Sequence, residues 1–173
     1  MPPRNVRKTN QTVLFAVEGD TEFAFLSHVK GCYVGRECNV SVKIKNARGA
    51  GPLGIVDALV SGARGKSYDF LAALFDSDIP VCDESRRYFE KNGVKLFQST
   101  PAIEGTILRL GNHRLQENMV TSECKRMLAR LYPGGDSMDV RFYERHFNKE
   151  LLDASRERVL LVDGLINYLM TPT

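Results

Sequence analysis

Apolar and polar positions along the chain follow two rhythms that alternate with each other. Val13-Leu14-Phe15-Ala16-Val17 is an unbroken apolar run that stops at Glu18-Gly19-Asp20, as a strand covered on both faces does when it reaches a turn. Phe23, Leu26 and Val29 then recur at helical spacing, which predicts a helix from Thr21 to about Lys30 capped by Asp20 or Thr21. Val40, Val42 and Ile44 alternate with Ser41, Lys43 and Lys45, a period of two that predicts a strand with one apolar and one basic face. The glycine-rich loop Ala47-Arg48-Gly49-Ala50-Gly51-Pro52 leads into a helix carrying Leu53, Val56, Leu59 and Val60, with Gly62 and Gly65 at its end. A second continuous run, Phe70-Leu71-Ala72-Ala73-Leu74-Phe75, stops at Asp76-Ser77-Asp78. A polar helix from Asp83 to Lys91 and a short strand, Val94-Lys95-Leu96-Phe97, follow.

Strands and helices alternate through this stretch, which predicts an α/β fold with a mostly parallel central sheet flanked by helices, Rossmann-like in its layering. After Pro101 the pattern is helical: Ile103 to Leu110, Glu123 to Leu131, Asp139 to Phe147, and one long helix from Lys149 to Met170. Val159, Leu160, Val162, Leu165, Ile166 and Leu169 give that last helix a broad apolar band, which suits packing on the core; a homodimer contact is the other use of such a band. The division expected is a tail over 1–11, a catalytic core over 12–110 and a helical C-terminal extension packed on the core over 111–173.

Composition narrows the class without naming it. The chain has 173 residues, 43% hydrophobic and 26% charged, so one globular domain with a real core is expected. Twenty-four basic against 21 acidic residues leave a net charge of +3, which neither requires nor forbids a nucleic-acid partner. No apolar run is long enough to span a bilayer, and Met-Pro-Pro-Arg-Asn-Val-Arg-Lys does not read as a secretory leader, so a cytoplasmic protein without a membrane partner is expected. Cys32, Cys38, Cys82 and Cys124 form no C-x-x-C pair and read as reduced thiols, partly in the core.

The two apolar runs share one feature with chemical meaning: each ends in acid. In an open parallel sheet, ligands bind beyond the C-terminal ends of the strands, so Glu18, Asp76 and Asp78 are expected to converge. Carboxylates gathered at one place repel each other unless a cation neutralises them, and an all-oxygen ligand set selects a hard ion such as Mg²⁺ or Mn²⁺. In an extended segment residues two apart point the same way, so Asp76 and Asp78 are expected to face one ion. Turn-forming aspartates after a strand are the plainer reading of the same pair. A phosphate-bearing substrate would need positive charge nearby. Lys43, Lys45 and Arg48, with the backbone N–H groups from Gly49 to Gly51 at a helix start, are the candidates; an exposed strand face and an ordinary turn are the alternative. His28, His113 and His146 read as packing or surface residues.

These residues resemble the TOPRIM domain, the catalytic domain shared by topoisomerases, bacterial primases and several nucleases. Val17-Glu18-Gly19 matches its glutamate after the first strand, and Phe75-Asp76-Ser77-Asp78 its later D-x-D. More narrowly, Glu18-Gly19-Asp20-Thr21-Glu22 looks like the E-G-x-T-E form of RloB-like and OLD-family nucleases, which are linked to phage defence. Gly49-Ala50-Gly51-Pro52-Leu53 resembles the G-x-G-P-L stretch of RloB-like proteins, and Ser99-Thr100-Pro101-Ala102-Ile103-Glu104 their S-N-P-x-F-E segment, with Ile103 in place of the aromatic residue. The resemblance spans about Val13 to Leu110 with the motifs in order.

It implies metal-dependent cleavage of phosphodiester bonds in DNA or RNA. Asp76 and Asp78 would hold a metal, Glu22 or Glu104 would contribute to a second site, and Glu18 would act as general acid or base or as a ligand. The OLD-type ATPase domain is missing, so an ATPase partner, if one is needed, is expected on a separate chain. A binding or accessory subunit with little hydrolytic activity is the competing expectation, and a primase-like phosphotransfer enzyme the third. Tyr33, Tyr68 and Tyr88 lack a DNA-gate domain to carry a nucleophile, so strand passage is not expected.

Overall fold

The computed structural model describes residues 10–35 and 37–173, so most of the expected tail lies outside the described residues. Four strands, β1 (Gln11–Val17), β2 (Val40–Asn46), β3 (Phe70–Asp76) and β4 (Lys95–Ser99), form one parallel sheet in the order β2-β1-β3-β4. The fold is thus α/β with a wholly parallel sheet, as the alternation of strands and helices predicts. Gln11, expected in the tail, instead opens β1 and pairs with Val40.

β1 and β3 are the inner strands, which is why their sequences are continuously apolar: Val13 to Val17 and Ala72 to Phe75 are all buried. The chain leaves β1 toward β2 on one side, then crosses back to place β3 on the other. Because such crossovers keep one hand, the reversal puts the intervening helices on opposite faces. α1 (Asp20–Tyr33) packs on the face that carries Phe15, Val42 and Leu74. α2 (Gly51–Ala63) and α3 (Asp83–Lys91) cover the other face, over Leu14, Ala16, Ala73 and Phe75. The loops after β1 and β3 therefore diverge and leave a crevice between them, the place where doubly wound sheets bind ligands.

α1 begins one residue earlier than the apolar periodicity suggests. Gly19 is its cap, and the Glu22 side chain satisfies the Gly19 N–H at 3.1 Å. Phe23, expected on the inner face, is turned outward, while Ala24, Phe25, Leu26, His28 and Val29 are buried. His28 is a packing residue, with Nε2 2.6 Å from the Phe147 carbonyl and its ring on Tyr143. On α2 the buried stripe is Ile55, Ala58, Leu59 and Gly62 rather than Leu53 and Val60, which are exposed. A Cβ at Gly62 would stand 3.0 Å from the Leu14 methyls, so the small residues are what let this helix lie close to the sheet.

Beyond the sheet come α4 (Ile103–Leu110), α5 (Thr121–Leu131), α6 (Val140–His146), α7 (Lys149–Ser155) and α8 (Leu160–Met170). The single helix expected over 149–170 is broken at Arg156–Val159. There Arg156 reaches forward to Asp163 at 2.6 Å, and Arg158 reaches the Arg109 and Leu110 carbonyls at the end of α4. The break swings α8 back over the sheet, where Tyr168 packs against Phe15 and Phe97. Val162, Leu165, Ile166 and Leu169 are buried in the same cluster as β1 and α1, so the band covers the core; Leu160 alone of the band faces out, at 77% exposure. The Cys residues are free thiols, with Cys124 buried. Among the described residues no helix is long and apolar enough to cross a membrane.

Candidate functional site

The crevice at the reversal holds a cavity of about 460 Å³ lined by Glu18, Asp20, Glu22, Asp76 and Glu104 together with Arg48, Gly49 and Lys125. Each acid arrives by a different piece of local structure. Asp76 is the last residue of β3 and is buried. Its Oδ1 accepts from Ser99 Oγ at 2.8 Å and from the Ile103 N–H at 2.9 Å, the first turn of α4. Glu18 follows β1 directly, and its Oε2 accepts the Asp76 N–H at 3.2 Å across the switch point. Glu22 stands one turn into α1, held by its bond to Gly19.

Glu104 is the second residue of α4, brought in by the segment Ser99 to Ala102, whose Thr100–Pro101 peptide is cis. Gly105 is what permits that approach, because a Cβ there would meet the Thr100 carbonyl oxygen at 2.9 Å.

Crowding and burial act together on these groups. Burial first, then the neighbouring Asp76, Glu18 and Glu104 charges, push the Glu22 carboxyl up to about 8. Burial raises Asp76 to about 6 against the opposing Ser99 bond, with Glu18 and Glu104 adding to the rise. Glu18 and Glu104 are raised as well, each mainly by loss of water. Lys125 lies 3.9 Å from Glu104 Oε1, yet its ammonium is largely exposed and does not offset the burial of its partner. Glu104 is only 5% exposed, and among the described residues its Oε2 has no hydrogen-bond partner. A buried acceptor left in that state is costly unless something cationic or protonated completes it.

The donors are oxygens throughout, they repel one another, and one of them is orphaned; that set fits a hard divalent cation. Among the described residues, no three carboxylate, imidazole or thiol groups stand near enough to enclose an ion as they lie. A cation would have to draw Glu18, Glu22, Asp76 and Glu104 toward itself.

The remaining expected residues divide. Asp78 has partners different from those of Asp76. The strand ends at Asp76 and the chain turns at Ser77, so the period of two no longer applies; Thr121 of α5 donates to Asp78 Oδ2 instead. Asp78 stands off the cavity wall, though its charge still contributes to raising Glu18 and Glu104. Lys43 and Lys45 lie on the α2 side of the sheet: Lys43 Nζ donates to the Gly62 carbonyl at 3.4 Å, and the Lys45 stem runs beside Gly62. They are not brought to the crevice.

Arg48 and Gly49 do line it. Asn46 accepts the Arg48 N–H at 2.7 Å and donates to Asp20, which holds the loop in place. The Gly49 N–H is taken by the Glu18 carbonyl at 2.7 Å and the Ala50 N–H by Ala47, which leaves the Arg48 guanidinium as this loop's charge at the cavity. Gly51 has a positive φ of 62° at the start of α2 and lies outside the lining. Lys125 is a lining residue that sequence reasoning missed, because nothing in the charge pattern of α5 distinguishes it from an ordinary solvated lysine.

No family model matches the chain, and no curated protein or solved structure matches it.

Proposed function

We propose that the chain is a metal-dependent nuclease of the TOPRIM type, acting on DNA or RNA in the cytoplasm. The observation that carries this reading is the orphaned, buried Glu104 Oε2 within a cluster of carboxyls raised toward neutrality at the switch point of a parallel sheet. Glu22, Asp76 and Glu104 are the residues that would hold Mg²⁺ or Mn²⁺. A bound divalent ion supplies Lewis-acid polarisation of a phosphate and lowers the pKa of coordinated water.

The chain's own groups account for the rest. Arg48 and Lys125, both lining the cavity, bind the non-bridging oxygens of a phosphodiester. Glu18 is half-buried and set between the two strands, with a raised pKa, and exchanges the proton. Attack by water forms a new P–O bond, the ester P–O bond breaks, and the leaving oxygen departs protonated. The family resemblance also places a separate ATPase chain and a role in phage defence within this proposal.

One feature favours a second reading, an accessory nucleic-acid-binding subunit: Asp78 is tied to Thr121 rather than directed at the cavity. One assay separates the two. Purified protein is incubated with plasmid, single-stranded DNA and RNA in Mg²⁺, Mn²⁺ or EDTA, beside Glu18→Gln and Asp76→Asn. The nuclease reading expects cleavage that needs metal and falls by about 10² or more in either variant. Binding without cleavage by folded protein sinks it in favour of the accessory role.

A further inference from the structure

A second cavity, of about 210 Å³, opens beside the acidic one and shares Thr21, Glu104, Lys125 and Met138 with it. Its character is different. Leu128 and Ala129 of α5, Tyr132 beyond it, and Phe142 of α6 give it mostly apolar walls. Tyr132 and Phe142 stand edge to face, with ring centroids 5.4 Å apart and planes at 83°. Phe142 is held firmly: a Cβ at Gly135 would meet its ring at 2.9 Å, so the 134–136 turn backs directly onto it. The result is one shallow apolar slot continuous with one polar, charged chamber.

A nucleotide has the same division, a flat apolar ring at one end and an anionic phosphate at the other. We infer that this slot takes a single unpaired nucleobase of the strand whose phosphate lies among the acids, which rests on the nuclease reading above and sets its substrate class. The slot meets the acid chamber at Glu104 and Lys125, so the base is that of a nucleotide adjoining the scissile phosphate. Tyr132, Phe142 and the Met138 thioether supply the faces and edges against which a ring packs irrespective of its identity. A paired base reaches such a slot only by leaving its stack, so the substrate is single-stranded or frayed nucleic acid rather than intact duplex.

The test measures binding of AMP, dAMP, 2-deoxyribose 5-phosphate and inorganic phosphate to the full chain in Mg²⁺ by ligand-observed NMR titration. Ala129→Phe is run in parallel. Ala129 is exposed on α5, so the added ring fills the slot without entering the core. The inference expects both mononucleotides to bind about tenfold or more tightly than deoxyribose phosphate, the scale of one base stacked on aromatic side chains. Ala129→Phe is expected to erase that gain, with an unchanged circular dichroism spectrum. Equal affinity for dAMP and deoxyribose phosphate overturns the base slot while leaving the phosphate site standing. A base-dependent gain that survives in folded Ala129→Phe overturns the slot's location. Binding of none of the four overturns the inference, while the cleavage assay decides the nuclease reading by itself.

Discussion

Glu22 is caught between two demands. As the third residue of α1 it caps the helix by accepting from Gly19, and as a buried acid it sits among like charges. Its carboxyl is raised to about 8, and that of Asp76 to about 6, so both hold protons in the folded chain that they lose in the unfolded one. The folded state thus binds more protons, and stability contributed by these groups falls as pH rises from about 4 through 8. Glu22→Gln is therefore expected to raise stability at pH 8 in EDTA by about 1–3 kcal/mol, read as a higher Tm, and to leave it nearly unchanged at pH 4. The same variant should lose most metal-dependent cleavage. A thermal melt across pH with and without Mg²⁺ checks the sign; an apo protein most stable at pH 8 would contradict it.

At this scale the sequence was informative wherever a strand ran straight into acid, which is why Glu18 and Asp76 could be placed from pattern alone. Glu22 and Glu104 needed the resemblance. Asp78 lies past the end of β3, where the chain turns on bonds such as Ser77 N–H to the Ser99 carbonyl, and its partner Thr121 is distant in sequence.

Among the elements, the short segment from β4 to α4 has the tightest tolerance. It sets Ile103 and Glu104 against Asp76, and Gly105 lets the first turn of α4 close on Thr100. Gly105→Ala puts a methyl 2.9 Å from a backbone oxygen that has no rotamer to escape by, so α4 must shift. A loss of about 1–3 kcal/mol is expected, with metal-dependent cleavage falling more steeply than stability. Denaturant unfolding beside the cleavage assay checks this, and wild-type behaviour in both would contradict it.

Element order and type were legible because the two rhythms are strong. Which face a helix buries was less so. On α2, Leu53 and Val60 proved exposed while Leu59 is buried, since close approach to Leu14 favours Gly62, whose smallness carries no hydrophobic signal. The split of 149–170 was hidden for another reason: Arg156 and Arg158 act through partners distant in sequence, on α8 and α4.

Across the whole molecule, the helices after residue 110 and one face of the sheet form a single apolar cluster. Phe15, Val42, Leu74 and Phe97 share it with Leu128, Phe142, Phe147, Leu152 and Ile166. A fragment over 10–110 would expose all of the surface that α8 and α6 cover, far more than a margin of 5–15 kcal/mol can absorb. It is expected to show no cooperative melt by circular dichroism, whereas the full chain should show one. A stable, cleavage-competent 10–110 fragment would establish the core-plus-extension division that composition suggests. The change in pattern at Pro101 marks where the strands stop, and the shared cluster has the later helices packed on that same core.

The shared core also puts a clock on the site. A ribosome that has reached Glu104 has already made every acid lining the crevice, but not the residues of α8 that cover β1 and β4. That later packing completes the core on which β1 and β4 rest, so the crevice is expected to take its final form only once α8 has emerged. A nuclease of the proposed kind would in this way have no finished site until α8 has left the ribosome.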